Sequence, residues 1–140
     1  FEEYISPEFY HYREGTTDSE ALFLVALSNG LTTDPIPAIQ KTIKIALKVM
    51  DDNHADEPLR ASLAITDGHE IWAFRYSNDH QSPSLYYGQP HTRAEDHYRN
   101  KFNAIASEPS DSEADHWYKV DESYCVHWTK DELFQHKLAI

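Results

Sequence analysis

One stretch of this sequence decides where its first long helix begins: Thr17-Asp18-Ser19-Glu20, followed directly by Ala21-Leu22-Phe23-Leu24-Val25-Ala26-Leu27. A Thr three residues before a Glu is the pattern of a capping box, with Thr17 as the N-cap and Glu20 reaching back from the first turn. The apolar run stops near Asn29-Gly30, a typical helix C-terminus. The sequence therefore predicts a largely buried helix over this stretch.

A second helix is predicted after the turn Asp34-Pro35-Ile36-Pro37. Apolar residues recur there at three- and four-residue steps, with Lys and Gln between them: Ile36, Ile39, Ile43, Leu47 and Met50. This helix has one apolar and one wet face, so the two helices are expected to form a hairpin. Residues 1–15 contain Pro7 and Gly15 and are predicted to be an irregular lead-in.

From residue 59 onward the pattern changes to that of strands. A hairpin is predicted around Thr66-Asp67-Gly68-His69, with strands at about 60–66 and 70–76. Further strands are predicted at 84–87, 102–107, 123–128 and 133–138, and polar loops at 77–83, 88–100 and 108–119. Two helices followed by strands predict an α+β fold, with the helix pair on one face of an antiparallel sheet.

The strand at 123–128 is apolar on both faces. One face carries Tyr124, Val126 and Trp128, and the other carries Cys125 and His127. None of these five residues is Asp, Glu, Lys or Arg. A strand buried on both faces needs a layer beyond the helices, and no second sheet is predicted within the chain. We therefore expect a partner subunit or an absent half of the fold to supply that layer.

Composition limits the classes of function. The chain has 140 residues, 40% of them hydrophobic, which suits one domain. Its net charge of −12 argues against nucleic acid and anionic membrane surfaces as partners. No run approaches the ~20 apolar residues of a membrane span, and no signal-peptide pattern is present, so a soluble, cytoplasmic protein is expected.

The histidines and the single cysteine give weak indications of chemistry. None of the nine histidines has the His-x-x-x-His spacing, so no metal site and no cofactor are predicted; the least unfavourable cluster is His91, Asp96 and His97. Cys125 and His127 share a strand face but are about 7 Å apart, too far for a direct hydrogen bond. A buried structural thiol is the favoured interpretation, and a Cys125 nucleophile in an unrelated hydrolase is the poorer alternative.

The segment Thr17-Asp18-Ser19-Glu20 has two interpretations that are compatible with each other. It caps a helix, which is the interpretation that spacing alone favours. Asp18 also stands at a helix start, where a fixed carboxylate beside exposed N–H groups suits a zwitterionic ligand.

Several segments together resemble a known family. In order, they are Gly15-Thr16-Thr17-Asp18-Ser19-Glu20-Ala21-Leu22-Phe23, Ala64-Ile65-Thr66-Asp67-Gly68 with Ala73-Phe74-Arg75-Tyr76, Pro83-Ser84-Leu85-Tyr86-Tyr87, and Ala106-Ser107-Glu108-Pro109 followed by Trp117. The series is similar to the C-terminal half of the class II glutamine amidotransferase-like proteins, which are N-terminal-nucleophile hydrolases. Ser110 departs from the apolar residue usual after Ser-Glu-Pro.

The resemblance implies a fold, an activity and site residues. Residues 1–140 would be the C-terminal part of one such domain and form half of a four-layer αββα sandwich. The complete protein would hydrolyse the γ-glutamyl amide of glutamine or a related compound through an N-terminal Cys outside this chain, so this chain holds no catalytic residue. Asp18 would receive the substrate α-amino group, flanked by Thr17 and Ser19. The alternative is a non-catalytic amino-acid-binding or subunit-contact module of the same fold.

Overall fold

Among the described residues, every helix lies before residue 53 and every strand after residue 59. The computed structural model describes residues 1–88, 103–110 and 116–140. They divide into a first unit, Phe1–Leu59 with Leu138–Ile140, and a second unit, Arg60–Lys137. The helices thus belong to the first unit and the strands to the second.

The first unit consists of helices of increasing length. A 3₁₀ helix, Glu2–Tyr4, is followed by α1, Pro7–Tyr10, by α2, Asp18–Ser28, and by α3, Pro35–Asp52. The lead-in predicted to be irregular therefore contains two short helices. Its core joins α2 to the segment before it, through Ile5, Leu24 and Val25 with Phe1, Tyr4, Phe9, Leu27 and Ile45 packed around them.

Helix α2 ends where the Asn29-Gly30 signal predicts. Gly30 has φ +94°, which is the left-handed region that favours glycine. Its N–H donates to Leu27 O at 3.0 Å and the N–H of Leu31 donates to Ala26 O at 3.1 Å, which together form a Schellman motif. The helix is buried along Ala21, Leu24, Val25 and Ala26, whereas Phe23 is 47% exposed, so the predicted burial holds for only part of its circumference.

A buried hydroxyl links α2 to α3. Thr42 is completely buried, and its Oγ1 donates to Ala38 O at 2.8 Å while accepting from Asn29 Nδ2 at 3.1 Å. The Thr42 hydroxyl therefore bonds both to the Asn29 amide at the end of α2 and to a backbone carbonyl one turn earlier in α3. The predicted helical hairpin is confirmed.

The described residues of the second unit form seven strands in two antiparallel sheets. The strands are β1 Arg60–Thr66, β2 Ile71–Ser77, β3 Tyr86–Gly88, β4 Ala104–Ala106, β5 Trp117–Lys119, β6 Tyr124–Trp128 and β7 Leu133–Lys137. A four-stranded sheet has the order β1-β2-β6-β7, and a three-stranded sheet has the order β4-β3-β5. The prediction of a single antiparallel sheet is therefore wrong.

The second sheet depends on a strand that the sequence does not predict. Residues 117–119 fall in a segment predicted to be a polar loop, but they pair with β3 in the register Gly88↔Trp117. A Cβ at Gly88 would lie 1.9 Å from the carbonyl oxygen of His116, so only glycine allows the two strands to approach this closely. Strand β5 forms here although the preceding residues are polar, because burial of the Trp117 side chain stabilises it.

Strand β6 receives cover from within its own unit. Ala73 of β2 and Val126 of β6 form a buried cluster with Leu85 and Val120, against which Tyr87, Ile105, Tyr124 and Leu133 pack. Tyr87 and Ile105 belong to the three-stranded sheet. The premise that the chain contains no second sheet to cover β6 is therefore wrong, and the argument for an external layer loses that support.

Arg75 of β2 links the segments that contain Pro83 and Val120 through hydrogen bonds. Its guanidinium donates to the carbonyl oxygens of Pro83 at 3.0 Å and Val120 at 2.7 Å, and it lies 3.5 Å from Glu122 Oε2. Burial opposes the charge of Glu122, but hydrogen bonds from Ser82 and Ser77 and the Arg75 charge outweigh it and lower the pKa of that carboxyl.

The architecture is α+β, with helices and two antiparallel sheets. The four-layer sandwich with a helix pair on a sheet stays a prediction. Within the part of the chain that the structure describes, no helix has both the length and the apolar character needed to cross a membrane.

Candidate functional site

The three predicted site residues lie together at the start of α2. Thr17 is the N-cap in extended conformation, and its Oγ1 accepts from the backbone N–H of Glu20 at 3.3 Å. Asp18 is the first helical residue and Ser19 the second. All three are exposed, and the predicted cap is confirmed.

The second half of the predicted capping box is wrong in its donor. Glu20 does not return to the N-cap residue; its Oε1 accepts from the N–H of Glu14 and its Oε2 from the N–H of Gly15, both at 2.9 Å. The carboxylate reaches further back because the chain before Thr17 folds over it, and a Cβ on Gly15 would lie 3.1 Å from Oε2. Glu20 thus fixes the approach to the helix.

The Asp18 carboxylate is held by its neighbour. Its Oδ1 accepts from the backbone N–H of Ser19 at 2.8 Å and lies 3.4 Å from the Ser19 hydroxyl. The other oxygen, Oδ2, is not used in these bonds. A carboxylate in the first turn also lies in the positive field of the helix N-terminus, which stabilises its charge.

Thr17 and Asp18 line a broad surface cavity of about 860 Å³ that is open to solvent and lies within the first unit. The 3₁₀ helix, the segment before α2 and the end of α3 supply the rest of its wall, which consists of Phe1, Glu2, Glu3, Arg13, Thr16, Ala21, Val49, Asp52 and Asn53. Ser19 is not in this wall, so its contribution is to hold Asp18. The structure therefore brings two of the three predicted residues to the cavity and keeps the third behind them.

The wall of this cavity is acidic. It carries four carboxylates, from Glu2, Glu3, Asp18 and Asp52, and one guanidinium, from Arg13. Arg13 Nη2 lies 2.6 Å from Glu2 Oε1, and Asp52 is paired with Lys48. The hydrogen bond to Asp52 and the charge of that carboxylate raise the pKa of the Lys48 amine. An acidic wall favours a ligand with a cationic group, such as an ammonium.

Sequence reasoning missed the wall residues outside the Thr17–Ser19 segment. Glu2 and Arg13 lie in the lead-in and Asp52 ends α3, so they meet only through folding. Their one sequence signal is the charge of an otherwise aromatic lead-in, which is too common to identify a site.

Cys125 and His127 do not form a catalytic pair. Cys125 is completely buried, and burial raises the pKa of its thiol to about 12. Its Sγ donates to Val126 O at 3.6 Å, whereas His127 Nε2 lies 2.6 Å from Glu70 Oε2. The interpretation of Cys125 as a structural thiol agrees with this geometry.

Metal binding has no support in residues 1–88, 103–110 and 116–140, which contain no group of three His, Cys, Asp or Glu side chains placed to hold an ion. The cluster of His91, Asp96 and His97 lies outside the described residues.

Among the solved structures that are similar to this chain, one combines a high structural similarity with substantial sequence identity. It is a glutamine aminotransferase class-II domain protein from Silicibacter pomeroyi, and it matches with a TM-score of 0.86 and 34% identity. This match confirms the resemblance to the class II glutamine amidotransferase-like proteins.

The extent of the match differs between the two proteins. It covers 99% of this chain and 60% of the Silicibacter pomeroyi chain, so this chain spans less than two thirds of that protein's length. No protein-family model matches the chain, and no curated protein matches it. That the chain corresponds to the C-terminal part of a class II glutamine amidotransferase-like domain stays a prediction.

Proposed function

We propose that this chain is part of a class II glutamine amidotransferase-like enzyme that hydrolyses the γ-glutamyl amide of glutamine or a related γ-glutamyl compound. The observation that carries the proposal is the placement of Asp18, an exposed carboxylate at a helix start in the wall of an acidic cavity. The likeness to a glutamine aminotransferase class-II domain protein supports the family that the proposal assumes.

Asp18 has the properties that binding of an α-ammonium group requires. Its Oδ1 is held by Ser19, so the carboxylate is oriented before a ligand arrives, and little conformational entropy is lost on binding. The acidic wall attracts a cation, and a charge-assisted hydrogen bond to an ammonium is stronger than a neutral one. In this proposal Thr17 shapes the pocket and Ser19 orients Asp18.

The nucleophile of the proposed reaction is a cysteine outside this chain, because the chain's one cysteine is buried with a raised thiol pKa. The thiolate attacks the γ-carbonyl carbon, the C–N bond breaks, and the nitrogen takes up a proton and leaves as ammonia or an amine. Water then cleaves the γ-glutamyl thioester and regenerates the thiol. Asp18 holds the substrate at its other end throughout.

Ammonia release from glutamine by the full-length protein tests this proposal. Asp18→Asn keeps the size of the side chain and removes its charge, so we expect kcat/KM to fall about 10- to 150-fold with little change in stability. Asp34→Asn is the matched control, because Asp34 is an exposed aspartate at the start of α3 and does not line the cavity. Unchanged kinetics in Asp18→Asn would leave Asp18 with a capping role alone.

The alternative is a non-catalytic module of the same fold that binds an amino acid or contacts a subunit. Asp18 in the acidic wall suits the binding of an amino acid whether or not a reaction follows. Titration of the full-length protein with glutamine separates the two proposals. Binding that depends on Asp18 without release of ammonia supports the module, and turnover supports the enzyme.

A further inference from the structure

The segment that leads into α2 forms one side of the cavity. Three wall residues come from it, Arg13, Thr16 and Thr17, and Asp18 follows them as the first residue of α2. Glu14, Gly15, Thr16 and Thr17 are exposed, so this part of the segment has little apolar burial to fix it. Its position therefore depends mainly on hydrogen bonds.

Glu20 supplies three of these hydrogen bonds. Its carboxylate accepts from the N–H groups of Glu14 and Gly15, with one oxygen for each at 2.9 Å. Its own backbone N–H donates to Thr17 Oγ1 at 3.3 Å. Glu20 is thereby bonded to residues on both sides of Thr16, while its backbone is fixed in the first turn of α2.

We propose that Glu20 is a positioning residue for the Asp18 site, because its carboxylate fixes the segment that forms the cavity wall beside Asp18. This inference rests on the function proposed above. This role differs from helix capping. A cap stabilises the helix itself, whereas the Glu20 carboxylate holds the backbone of Glu14 and Gly15 outside the helix. Hydrogen bonds from two N–H groups to one carboxylate are charge-assisted, which makes them strong enough to order an exposed segment.

Three variants of the full-length protein separate positioning from stability. Glu20→Ala removes both acceptors, and Glu20→Gln keeps one carbonyl oxygen and therefore one of the two. Ser28→Ala is the matched control at the other end of α2, where Ser28 Oγ accepts from the N–H of Ser6 at 2.9 Å. It also removes an acceptor for a backbone N–H before α2, but it lies outside the cavity wall.

We expect kcat/KM for glutamine to fall about 10-fold in Glu20→Ala, about 3-fold in Glu20→Gln and less than about 2-fold in Ser28→Ala, mainly through KM. A double-mutant cycle with Asp18→Asn gives the decisive readout. If Glu20 acts through the Asp18 site, Glu20→Ala has less than about 2-fold effect in the Asp18→Asn protein. An equal loss in both backgrounds, or a loss in Ser28→Ala as large as in Glu20→Ala, would overturn the inference.

Amide exchange tests the same inference without relying on turnover. The N–H groups of Glu14 and Gly15 should exchange about 10-fold faster in Glu20→Ala than in the wild type and be unchanged in Ser28→Ala. Unchanged exchange at these two residues would overturn the inference whatever the activity. If the wild type releases no ammonia, the proposed enzyme is refuted. Faster exchange in Glu20→Ala would still establish the hydrogen bonds of Glu20.

Discussion

Cys125 lies opposite Phe74 in the antiparallel β2–β6 pair, and both side chains are completely buried. Because burial also raises the pKa of the thiol to about 12, very little thiolate forms at neutral pH. We expect a thiol reagent to leave Cys125 unmodified in the native full-length protein and to label it after unfolding in urea. Mass spectrometry of the labelled peptides measures both. Rapid native labelling at Cys125 with loss of ammonia release would make it the nucleophile.

Replacing Thr42 by valine removes the hydroxyl that joins α2 to α3. The Asn29 amide then loses its acceptor and the Thr42 bond to Ala38 O is lost as well, so we expect the free energy of unfolding to fall by about 1–2 kcal/mol in a urea titration. The same substitution in an Asn29→Ala protein should cost less, because that variant has no amide to leave unpaired. Equal losses in both proteins would show that the Asn29–Thr42 bond adds nothing.

Gly88 is predicted to be the glycine least tolerant of substitution in the described second unit. An alanine Cβ there would meet the backbone carbonyl of His116 at 1.9 Å, and neither strand backbone moves without breaking the β3–β5 pair. We expect Gly88→Ala to lower the free energy of unfolding by more than about 2 kcal/mol. Gly30→Ala, which adds a Cβ at positive φ in open space, should cost about 1 kcal/mol. A Gly88→Ala cost no larger than that of Gly30→Ala would contradict the close approach of β3 and β5.

Asp79 makes stability depend on pH in the acid range. Its hydrogen bond from Arg60 lowers the pKa of the Asp79 carboxyl from 3.8 to about 2, despite the opposing effect of desolvation. The unfolded chain binds the proton more readily, so this contribution is present above pH 4 and is lost as pH falls towards 2. We expect Asp79→Asn to reduce the slope of unfolding free energy against pH between 4 and 2.

Urea titrations at several acid pH values measure that slope. Glu57→Gln, an exposed carboxylate in the first unit, is the control for the general effect of removing a negative charge. A slope in Asp79→Asn equal to that of the wild type would show that the Arg60–Asp79 pair does not act in this range.

The sequence predicts best the features that local residues determine. The start of α2 follows from Thr17 and Glu20, its end follows from Gly30, and the β1–β2 hairpin follows from the Asp67-Gly68 turn. In each case the side chain or glycine that specifies the feature lies within a few positions of it. The role of Asp18 as a substrate-binding residue, which the same local pattern and a family resemblance suggest, stays a prediction.

The features that the sequence did not predict depend on distant residues. Strands β3 and β4 overlap the strands predicted at 84–87 and 102–107, but β5 has three residues, too few to show an alternating pattern, and Gly88 meets Trp117 only in the folded chain. The cavity wall likewise combines Glu2, Arg13 and Asp52 from separate elements. Which N–H groups donate to the Glu20 carboxylate also depends on the path of the chain before the N-cap, and the capping-box pattern does not specify that path.

The order of the four-stranded sheet has a consequence for how the chain acquires its structure during synthesis. Thr66 and Glu70 close the β1–β2 turn across four residues, whereas Glu70 and His127, which meet beside the β2–β6 pair, are 57 residues apart. By chain entropy, closing the longer loop costs about 2 kcal/mol more. The α2–α3 hairpin and the β1–β2 hairpin can therefore form while the ribosome is still translating the middle of the chain. β2 then keeps an open edge until β6 emerges, and during that interval a chaperone or a neighbouring nascent chain has the best opportunity to bind it.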